Sequence, residues 1–578
     1  MLEEKLKNLA FPLNVYALVL LFEEGTVDYL HFGLFEQNVE SIFDAQHVST
    51  DMILARLPEP PMRILEVGSG LGTTARLLVE KGYDVTSITP DLGQVQLALS
   101  RSETSMPRYV GSTLEDLDVE EGSFDFVLFQ ESAQYIDPLD LFGRSFQLLR
   151  EGGMVLVVDE FAFKRESPGF DGLHLFSHFS AQSARFGFEI LEEKNLSTAA
   201  KPTLDYLLRV IPAYQQRLIS IGAVTEKELD YLYSSLQDYQ EKYIDGRYGY
   251  ALLMMEKKKA PRWRVSTLKD DEDVRFVREL FHEIFGEPIS EKMWQWKYGN
   301  GNGDSILAWR GNELVAHYGG MCRDILFKGN MVQAVQIGDV MVRSSERGIL
   351  TQQGPFFLTA ATYLEKNIGF GRRFLLGFGF PNMRAMRVAK KLGLYDEVGY
   401  MVEYHWSVLN FEPSLFGVVE QIGGDIDQQK IESINLLWEQ MAVDFEQSVV
   451  GIRDWKYLSH RFVFHPHFLY KIFVVNDQIT GKAIGLFVVR TEGESLILMD
   501  LIGKSSTFQL LVQHARSVAR KMKMREVSFW VTDTSIPLPA GEKKQLDIHI
   551  PSSIWSAGPS IGSMNQCWWL TSGDVDFR

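Results

Sequence analysis

The stretch Ile64–Gly72, which reads ILEVGSGLG, decides the fold of the first part of the chain. The apolar run Arg63–Val67 predicts a buried strand, and the glycines that follow it predict a tight turn before a helix that begins at Thr73. Glycine is needed where the backbone takes a positive φ or lies against a ligand. Glu66 precedes the first glycine by two residues, and a carboxylate there repels a pyrophosphate but can hold an ammonium group.

The pattern Glu66-x-Gly68-x-Gly70-x-Gly72 resembles motif I of the class I S-adenosylmethionine-dependent methyltransferases. The resemblance implies a Rossmann-like α/β domain that binds S-adenosylmethionine through this turn. The residues expected at the cofactor are Glu66, Gly68, Ser69, Gly70 and Gly72. Two alternatives are an ordinary strand-to-helix turn and a nicotinamide dinucleotide site.

Further cofactor residues follow from the strands after motif I. The second strand, Tyr83–Thr89, ends without the acid that many methyltransferases use for the ribose. Its Ile88-Thr89-x-x-x-x-Gln94 pattern is similar to the branch with cyclopropane synthases, tocopherol methyltransferases and small-amine N-methyltransferases. The resemblance implies additional cofactor contacts from Thr89, Gln94, Ser112, Glu115 and Gln130.

Substrate-side candidates lie at the end of the fourth strand, Phe124–Phe129. Open α/β sheets bind ligands at the carboxyl ends of their strands, so Glu131 and Tyr135 are candidate catalytic residues. Glu131 has an alternative role as the cap of the next helix. The aromatic and histidine residues of 29–35 and Gln46 either line a substrate pocket or pack an N-terminal helix. A helical insert at about 198–246 resembles the lid of small-molecule methyltransferases.

Length, charge and cysteine content limit the possible classes. A chain of 578 residues predicts three or four domains, and its net charge of -18 disfavours nucleic-acid and anionic-membrane partners. The two cysteines have no metal-ligand spacing, so we expect no metal site and a reduced, cytoplasmic protein. The apolar run Leu9–Phe22 is too short to span a bilayer and predicts a packing element.

After the charged linker Lys257–Pro261, the order of strands and helices resembles the GNAT acyltransferases. The resemblance implies acetyl-CoA or another acyl-CoA as cofactor, with its pyrophosphate at the start of a helix that begins at Pro355. The loop before that helix reads TQQGPF and departs from the family pattern. Asp339 and Tyr395 are the candidate catalytic base and acid, or are structural. The expected acyl-CoA residues are Val340, Val342, Gln352, Gln353, Gly354, Phe356 and Asn382, the last with an alternative role as a helix cap.

A repeat indicates that the GNAT-like part is duplicated. The triplet Trp-Lys-Tyr occurs at Trp296 and again at Trp455, and each copy precedes two strands joined by a turn. The second copy has Gly503–Ser506 where the cofactor loop belongs. We therefore predict a methyltransferase domain at 1–257, a GNAT domain at 262–410 and a degenerate GNAT-like domain at 411–578. The terminal aromatic segment either closes over the acceptor cleft of the first copy or packs the last strand.

The resulting hypothesis is a bifunctional enzyme that methylates a small molecule, expected to be an amine, and acylates it from acyl-CoA. One alternative is a methyltransferase joined to a binding or scaffold module. Another is an enzyme that modifies protein or peptide amines, since an acidic protein suits basic substrates.

Overall fold

The computed structural model describes residues 2–36, 38–101, 106–165, 172–349, 351–409, 416–423 and 426–577. The chain divides into two compact units, the first ending at Arg262 and the second beginning at Trp263. The predicted boundary at 410/411 lies outside the described residues.

The first unit is a Rossmann-like α/β fold built on a seven-stranded sheet, with strand order β3-β2-β1-β4-β5-β7-β6. The strands are β1 Arg63–Val67, β2 Asp84–Thr89, β3 Arg108–Gly111, β4 Phe124–Gln130, β5 Leu149–Ala162, β6 Phe188–Asn195 and β7 Tyr248–Lys257. β1 pairs in parallel with β2 and β4, and β7 runs antiparallel to β5 and β6. The carboxyl ends of β1, β2, β4 and β5 therefore meet at one edge of the sheet, where the motif I turn lies.

Helices pack on this sheet and over its ligand edge. They are α1 Leu2–Lys7, α2 Leu13–Glu24, α3 Ile42–Leu54, α4 Thr73–Glu80, α5 Leu92–Ser100, α6 Pro138–Leu148, α7 Phe176–Arg185, α8 Ser197–Ala200, α9 Pro202–Ser220 and α10 Glu226–Ile244. The predicted insert at 198–246 corresponds to α8, α9 and α10. Buried side chains such as Leu18 of α2 and Ile211 of α9 belong to the same apolar core as the sheet residue Ile64. The first apolar run thus packs as a helix onto the insert.

The second unit contains two further seven-stranded sheets. Its first part comprises β8 Arg264–Thr267, α11 Asp271–Phe285, α12 Glu291–Tyr298, β9 Gly303–Arg310, β10 Glu313–Phe327, β11 Asn330–Val342, α13 Pro355–Asn367, β12 Leu376–Gly379, α14 Met383–Lys391 and β13 Tyr395–Ser407. Its second part comprises β14 Val418–Ile422, α15 Gln428–Asp444, β15 Val449–Gly451, α16 Trp455–Leu458, β16 Lys471–Asn476, β17 Ala483–Glu492, β18 Ser495–Ile502, α17 Phe508–Lys521, β19 Glu526–Thr532, β20 Glu542–Ser553, α18 Ile561–Met564 and β21 Trp568–Trp569. This mixed α/β architecture confirms the predicted fold class.

The two parts of the second unit share strands. One sheet contains β8 to β12 together with β15 and β21 from the second part. The other has the order β14-β16-β17-β18-β19-β13-β20, so β13 from the first part pairs with β19 and β20. Residues 262–410 and 411–578, predicted as two domains, therefore lie in one compact unit, because each part completes the sheet of the other.

The internal duplication has a matching side-chain contact in each copy. Tyr298 of the first Trp-Lys-Tyr triplet donates its hydroxyl to Asp339 on β11 at 2.7 Å. Tyr457 of the second triplet donates to Asp500 on β18 at 2.9 Å. In both copies a helix that carries the triplet is thus fixed to the long strand that precedes the next helix. This correspondence supports the repeat that the sequence indicates.

The structure corrects the start of the predicted linker Lys257–Pro261. Lys257 is the last residue of β7, and its buried ammonium donates to the carbonyls of Phe146 and Leu149 at 2.8 and 2.6 Å. The backbone amide of Lys258 donates to the carbonyl of Gly187. The segment begins inside the first sheet because Lys257 pairs with Phe188 of β6, and the change of unit falls at Arg262.

Across the ranges described above, no helix is both long and apolar enough to cross a membrane. Within the same ranges, no group of three or more His, Cys, Asp or Glu residues has the arrangement of a metal site.

Candidate functional site

A cavity of about 770 Å³ opens at the carboxyl edge of the first sheet. The motif I turn lies on one side of it, and α2, α9 and α10 contribute to the other. Its lining includes the predicted residues Glu66, Gly68, Ser69, Gly70, Thr89, Gln94, Ser112, Glu115, Gln130, Glu131 and Tyr135. The sequence motifs of the first unit are therefore brought to one site, with Gly72 as the exception.

Glu66 is a buried carboxyl group within β1. The Ser87 hydroxyl on the neighbouring strand donates to it at 2.5 Å and lies 2.9 Å from the Ser69 hydroxyl. Burial raises the pKa of Glu66 to about 7, although the Ser87 hydrogen bond opposes that shift. Glu66 has no cationic partner among the residues that the structure describes. A bound ammonium would therefore favour the ionised form of this carboxyl group.

The three motif glycines serve different purposes. Gly70 has φ +49°, and a Cβ there would meet nothing within 4 Å, so this side of the turn faces open space. A Cβ at Gly68 would meet Ser132 Cβ at 2.7 Å. A Cβ at Gly72 would meet Ala98 Cβ at 2.7 Å and the Tyr109 hydroxyl at 2.6 Å.

Gly72, also predicted as a cofactor residue, differs from the other two glycines in its surroundings. It lies outside the cavity lining and is the residue before α4, in the left-handed region at φ +75°. Its lack of a side chain lets the start of α4 lie against α5. It therefore fixes the shape of the turn, and the contact surface for a ligand comes from its neighbours.

Gln130, at the end of β4, presents an unused donor. Its Oε1 accepts the Thr74 hydroxyl at 3.0 Å, while its buried Nε2 has no partner in the described part of the chain. Across the turn, the Thr89 hydroxyl donates to Gln94 Oε1 at 3.2 Å. Buried polar atoms without partners are rare, and this one lies in the cavity lining. Gln130 Nε2, the Thr89 hydroxyl, the Glu66 carboxyl and the open face of Gly70 together fit a ligand with carboxylate, ammonium and hydroxyl groups.

Glu131 follows β4 at φ +55° and lines the same cavity. It accepts the Phe32 amide at 2.6 Å and the Tyr250 hydroxyl at 2.7 Å. The short helical turn that begins at Ala133 has no side-chain cap, so the alternative role as a helix cap does not apply. Burial raises the pKa of Glu131 to about 8, against the hydrogen bonds from Tyr250 and Phe32.

Two further acids, Asp159 and Glu160, lie at the carboxyl end of β5. Burial raises the pKa of Asp159 to about 7, and burial together with Glu131 raises that of Glu160 well above its usual range. Glu160 lines the cavity and accepts the Tyr243 hydroxyl of α10 at 2.7 Å. The sequence prediction missed Glu160 as part of the cavity lining and Asp159 as the acid beside it. The available signal was an acidic pair at the end of a buried strand, at the same sheet edge as Glu131.

Aromatic side chains complete the acidic side of the cavity. Tyr16, Tyr135 and Tyr239 line it, and Tyr135 is 80% exposed. His31, Phe32 and Gln46 line the cavity and are also packed into the fold, because Gln46 donates to the His31 carbonyl at 2.7 Å. These residues therefore both line the cavity and pack within the fold, and their role at a substrate stays a prediction.

In the second unit, the predicted acyl-CoA residues lie at three places: the start of α13, the end of β11 and the start of α14. Gly354 is the N-cap of this helix, without a side-chain cap, and Pro355 is its first residue. Gln352 and Gln353 are exposed, as is Val340, while Val342 and Phe356 are half-buried. Among the described residues, β11 and β12 pair only from Ala334 to Ile337. The strands therefore separate before β11 ends at Val342, which frees backbone groups on that edge.

Asp339 does not have the environment of a catalytic base. Lys297 donates to both of its oxygens at 2.8 and 3.0 Å, and Tyr298 donates to it at 2.7 Å. Burial raises the pKa of Asp339. The Lys297 ammonium and these hydrogen bonds outweigh that effect, so the pKa lies below its usual range. Its lone pairs already accept three bonds, so Asp339 is a structural ion-pair partner of α12.

Tyr395 and Asn382 are also occupied by the fold. The hydroxyl of Tyr395 is buried against that of Tyr318, and burial raises its pKa well above the usual range. Asn382 accepts the Ala385 amide at 2.9 Å and so caps α14. Neither residue meets the requirement of an acid or a cofactor contact at an open cleft. The structure therefore agrees with the structural roles: Asp339 is an ion-pair partner, Asn382 is a helix cap and Tyr395 is a buried residue of the fold.

Comparisons with known proteins divide the chain in the same way. Residues 65–157 match the family model "Methyltransferase domain", and residues 264–352 match "Acetyltransferase (GNAT) domain". A ubiquinone biosynthesis O-methyltransferase of Xanthomonas campestris is 32% identical over 114 residues, which are 19% of this chain and 48% of the relative. An uncharacterized methyltransferase of Mycobacterium bovis is 29% identical over 104 residues, or 18% of this chain and 41% of the relative. The chain thus spans less than half the length of the curated relatives it matches.

Solved structures are similar at lower identity. The cyclopropane synthase MmaA2 of Mycobacterium tuberculosis is 17% identical at a TM-score of 0.37, covering 44% of this chain and 98% of its own. A conserved Enterococcus faecalis protein, described as a probable N-acyltransferase, is 14% identical at a TM-score of 0.41, covering 50% of this chain and 71% of its own. On the family-model matches and the geometry above, the chain joins a class I S-adenosylmethionine-dependent methyltransferase domain to a GNAT-type module.

Proposed function

We propose that the first unit transfers a methyl group from S-adenosylmethionine to a small amine. The observation that carries this proposal is the pairing of buried carboxyl groups with aromatic rings on one side of the cavity. Glu131 and Glu160 line that side together with Tyr16, Tyr135 and Tyr239. Carboxylates and aromatic faces are the groups that bind organic ammonium ions.

The cofactor side of the cavity supplies the other half of the proposal. S-adenosylmethionine, when bound, supplies a methyl group on a positively charged sulfur. Glu66 would hold its ammonium group, Gln130 Nε2 its carboxylate, and Thr89 with Gln94 its ribose. The open face of Gly70 lets the ligand lie against the backbone.

The acidic side has two tasks in methyl transfer to an amine. An ammonium ion has no lone pair, so it must lose a proton before its nitrogen can form a bond to carbon. A bound ammonium favours the ionised form of Glu131, whose pKa in the empty site is about 8, and the ionised carboxylate can then accept that proton. A bound ammonium offsets the burial of Glu160 and favours its ionised form, so Glu160 would pair with the ammonium, and the hydrogen bond from Tyr243 fixes its orientation.

The acceptor is tested with compounds of similar size. Purified full-length chain is incubated with S-adenosylmethionine and benzylamine, phenol or benzyl alcohol, and S-adenosylhomocysteine release is measured by mass spectrometry. Phenol is included because the Xanthomonas relative is an O-methyltransferase by name. We expect release with the amine and a roughly tenfold or larger fall in kcat/KM on Glu160→Gln, which keeps an acceptor for Tyr243 but removes the charge. Glu241→Gln, at an exposed position of α10, is the matched control. Turnover of phenol alone would contradict the amine assignment.

For the second unit we propose acyl-CoA binding at the start of α13, where no side chain caps the amides of the first helical turn. The burial of Asp339 and Tyr395 favours a second candidate, in which this unit binds acyl-CoA without transferring the acyl group. Gln353→Glu places a negative charge at the exposed loop, whereas Lys504→Glu makes a charge change in the second copy. We expect calorimetry to show one acetyl-CoA per chain, weakened about tenfold by Gln353→Glu alone. Weakening by Lys504→Glu alone would place the site in the other copy.

A further inference from the structure

A second cavity, of about 470 Å³, lies within the second unit. Its lining comes from β10 and β11 of the first part, from the segment after α16 in the second part, and from the C-terminal residues Asp574 and Asp576. None of the described residues predicted to hold acyl-CoA lines it. The volume is in the range of small-molecule sites.

The lining carries more positive than negative side chains. The cations are Lys297, Arg323, Arg373, Lys456 and Arg461, and the carboxylates are Asp324, Asp454, Asp574 and Asp576. Four of these cations form ion pairs: Lys297 with Asp339 and Asp576, Arg323 with Asp574, Arg373 with Asp304, and Lys456 with Asp324. Arg461 is therefore the cation in this lining that is left for an anionic ligand.

Arg461 is a buried cation without a counter-charge. Its Nε donates to the Gly573 carbonyl at 2.6 Å and its Nη2 to the Val575 carbonyl at 2.9 Å. In the described part of the chain, no carboxylate lies within 4.0 Å of its guanidinium nitrogens. Its Nη1 lies 3.5 Å from the Tyr470 hydroxyl, and the guanidinium lies over the Trp296 ring. The group is therefore hydrogen-bonded but has no counter-ion, and an anion in the cavity would supply one.

Gln336 adds an unused donor that points to the same ligand. The residue is fully buried, and its Oε1 accepts Arg323 Nη1 at 3.1 Å. The other terminal nitrogen of Arg323 donates to Asp574 at 2.6 Å, so this arginine is paired. Gln336 Nε2 has no partner among the described residues, and it lines the cavity. A ligand that accepts hydrogen bonds satisfies it.

Apolar and aromatic groups form another part of the wall. Trp296 stacks on His460 with ring centroids 5.0 Å apart, and both line the cavity with Tyr457 and Phe464. The segment Ser459–Val463, which presents His460 and Arg461, is a single turn of π-helix. Such turns occur frequently at functional sites.

We propose that this cavity binds a small organic anion whose carboxylate or phosphate group accepts from Gln336 Nε2 and pairs with Arg461. The apolar body of the ligand lies against Trp296 and Phe464. This site is separate from the start of α13 and does not depend on acyl transfer.

The test is calorimetric titration of sodium benzoate and, separately, phenyl phosphate into the full-length chain at constant ionic strength. One of the two anions binds with a stoichiometry of one, which identifies the anionic group. Gln336→Glu keeps the acceptor for Arg323 but replaces the unpaired donor with a negative charge. We expect it to weaken binding at least tenfold, and Gln333→Glu, at the exposed rim, to weaken it a few-fold.

Gln545→Glu is the matched control, because it makes the same charge change at an exposed position of β20 outside this lining. Its affinity should stay within about twofold of the native chain. The rim variant keeps the test decisive if Gln336→Glu does not fold. The proposal is overturned if neither anion binds at about 10 mM, or if the two cavity variants bind as tightly as the control.

Discussion

Glu66 is buried in β1 with a serine hydroxyl as its partner, and burial raises its pKa to about 7. The raised pKa means that the folded chain binds this proton more tightly than the unfolded chain does. The contribution of Glu66 to stability is therefore present below its unfolded value of about 4.5 and is lost as the pH rises toward 7 and above.

The affinity for S-adenosylmethionine should have the opposite pH dependence. Only ionised Glu66 attracts the ammonium group, so the affinity should rise as the pH increases from about 5.5 to 7.5 and fall again above about 8, where the α-ammonium of the ligand loses its proton. Below pH 7 it should fall by up to about tenfold per pH unit. Glu66→Gln should flatten the profile. A native profile that is already flat, measured by calorimetry in matched buffers, would contradict this role.

Asp339 is a residue whose substitution should affect stability before activity. It forms a buried ion pair with Lys297, which also pairs with Asp576 at 2.8 Å. Asp339→Asn leaves a buried ammonium with one carboxylate, and we expect it to lower the free energy of unfolding by about 3 kcal/mol. Urea denaturation of the full-length chain measures the change. An unchanged unfolding transition would indicate that Asp339 is held less tightly than its bonds imply.

At the scale of elements, α10 limits the substrate side of the first cavity. Its residue Ser235 lines the cavity, while the adjacent Ser234 does not. Ser235→Trp should fill the acceptor space and lower methyl transfer at least tenfold, with little change in S-adenosylmethionine affinity. Ser234→Trp is the matched control. Equal loss in both variants would mean that α10 acts only through its own packing.

Local sequence signals predict the parallel strands, the motif I turn and the helices of the insert well. The turn of 68–72 follows from glycine chemistry, and the order of β8 to β13 follows from periodicity. What they do not predict is which polar groups pair across the fold. Asp339 meets Lys297 from 42 residues away, and Tyr395 meets Tyr318 from 77 residues away. The catalytic roles expected for Asp339 and Tyr395 need a free carboxylate and a free hydroxyl, and these contacts occupy both groups.

At the scale of the molecule, the change of unit at Arg262 and the shared strands of the second unit predict different results for two cuts. Separately expressed 1–262 and 263–578 should each remain folded and monodisperse. A fragment of 263–410 should aggregate, because β13 loses its partners β19 and β20, and the sheet of β8 to β12 loses β15 and β21. Size-exclusion chromatography distinguishes them. A monodisperse 263–410 fragment would show that the shared strands are not required.

The most direct measurement is calorimetric titration of S-adenosylmethionine into the full-length chain and its Gly70→Asn variant. Asparagine tolerates the left-handed backbone at φ +49°, and the added side chain enters open space on the cavity side of the turn. The native chain should bind one S-adenosylmethionine, and Gly70→Asn should bind at least about tenfold more weakly with the same melting temperature. No binding to the native chain, or equal affinity in a folded Gly70→Asn protein, would contradict the assignment of this cavity to S-adenosylmethionine.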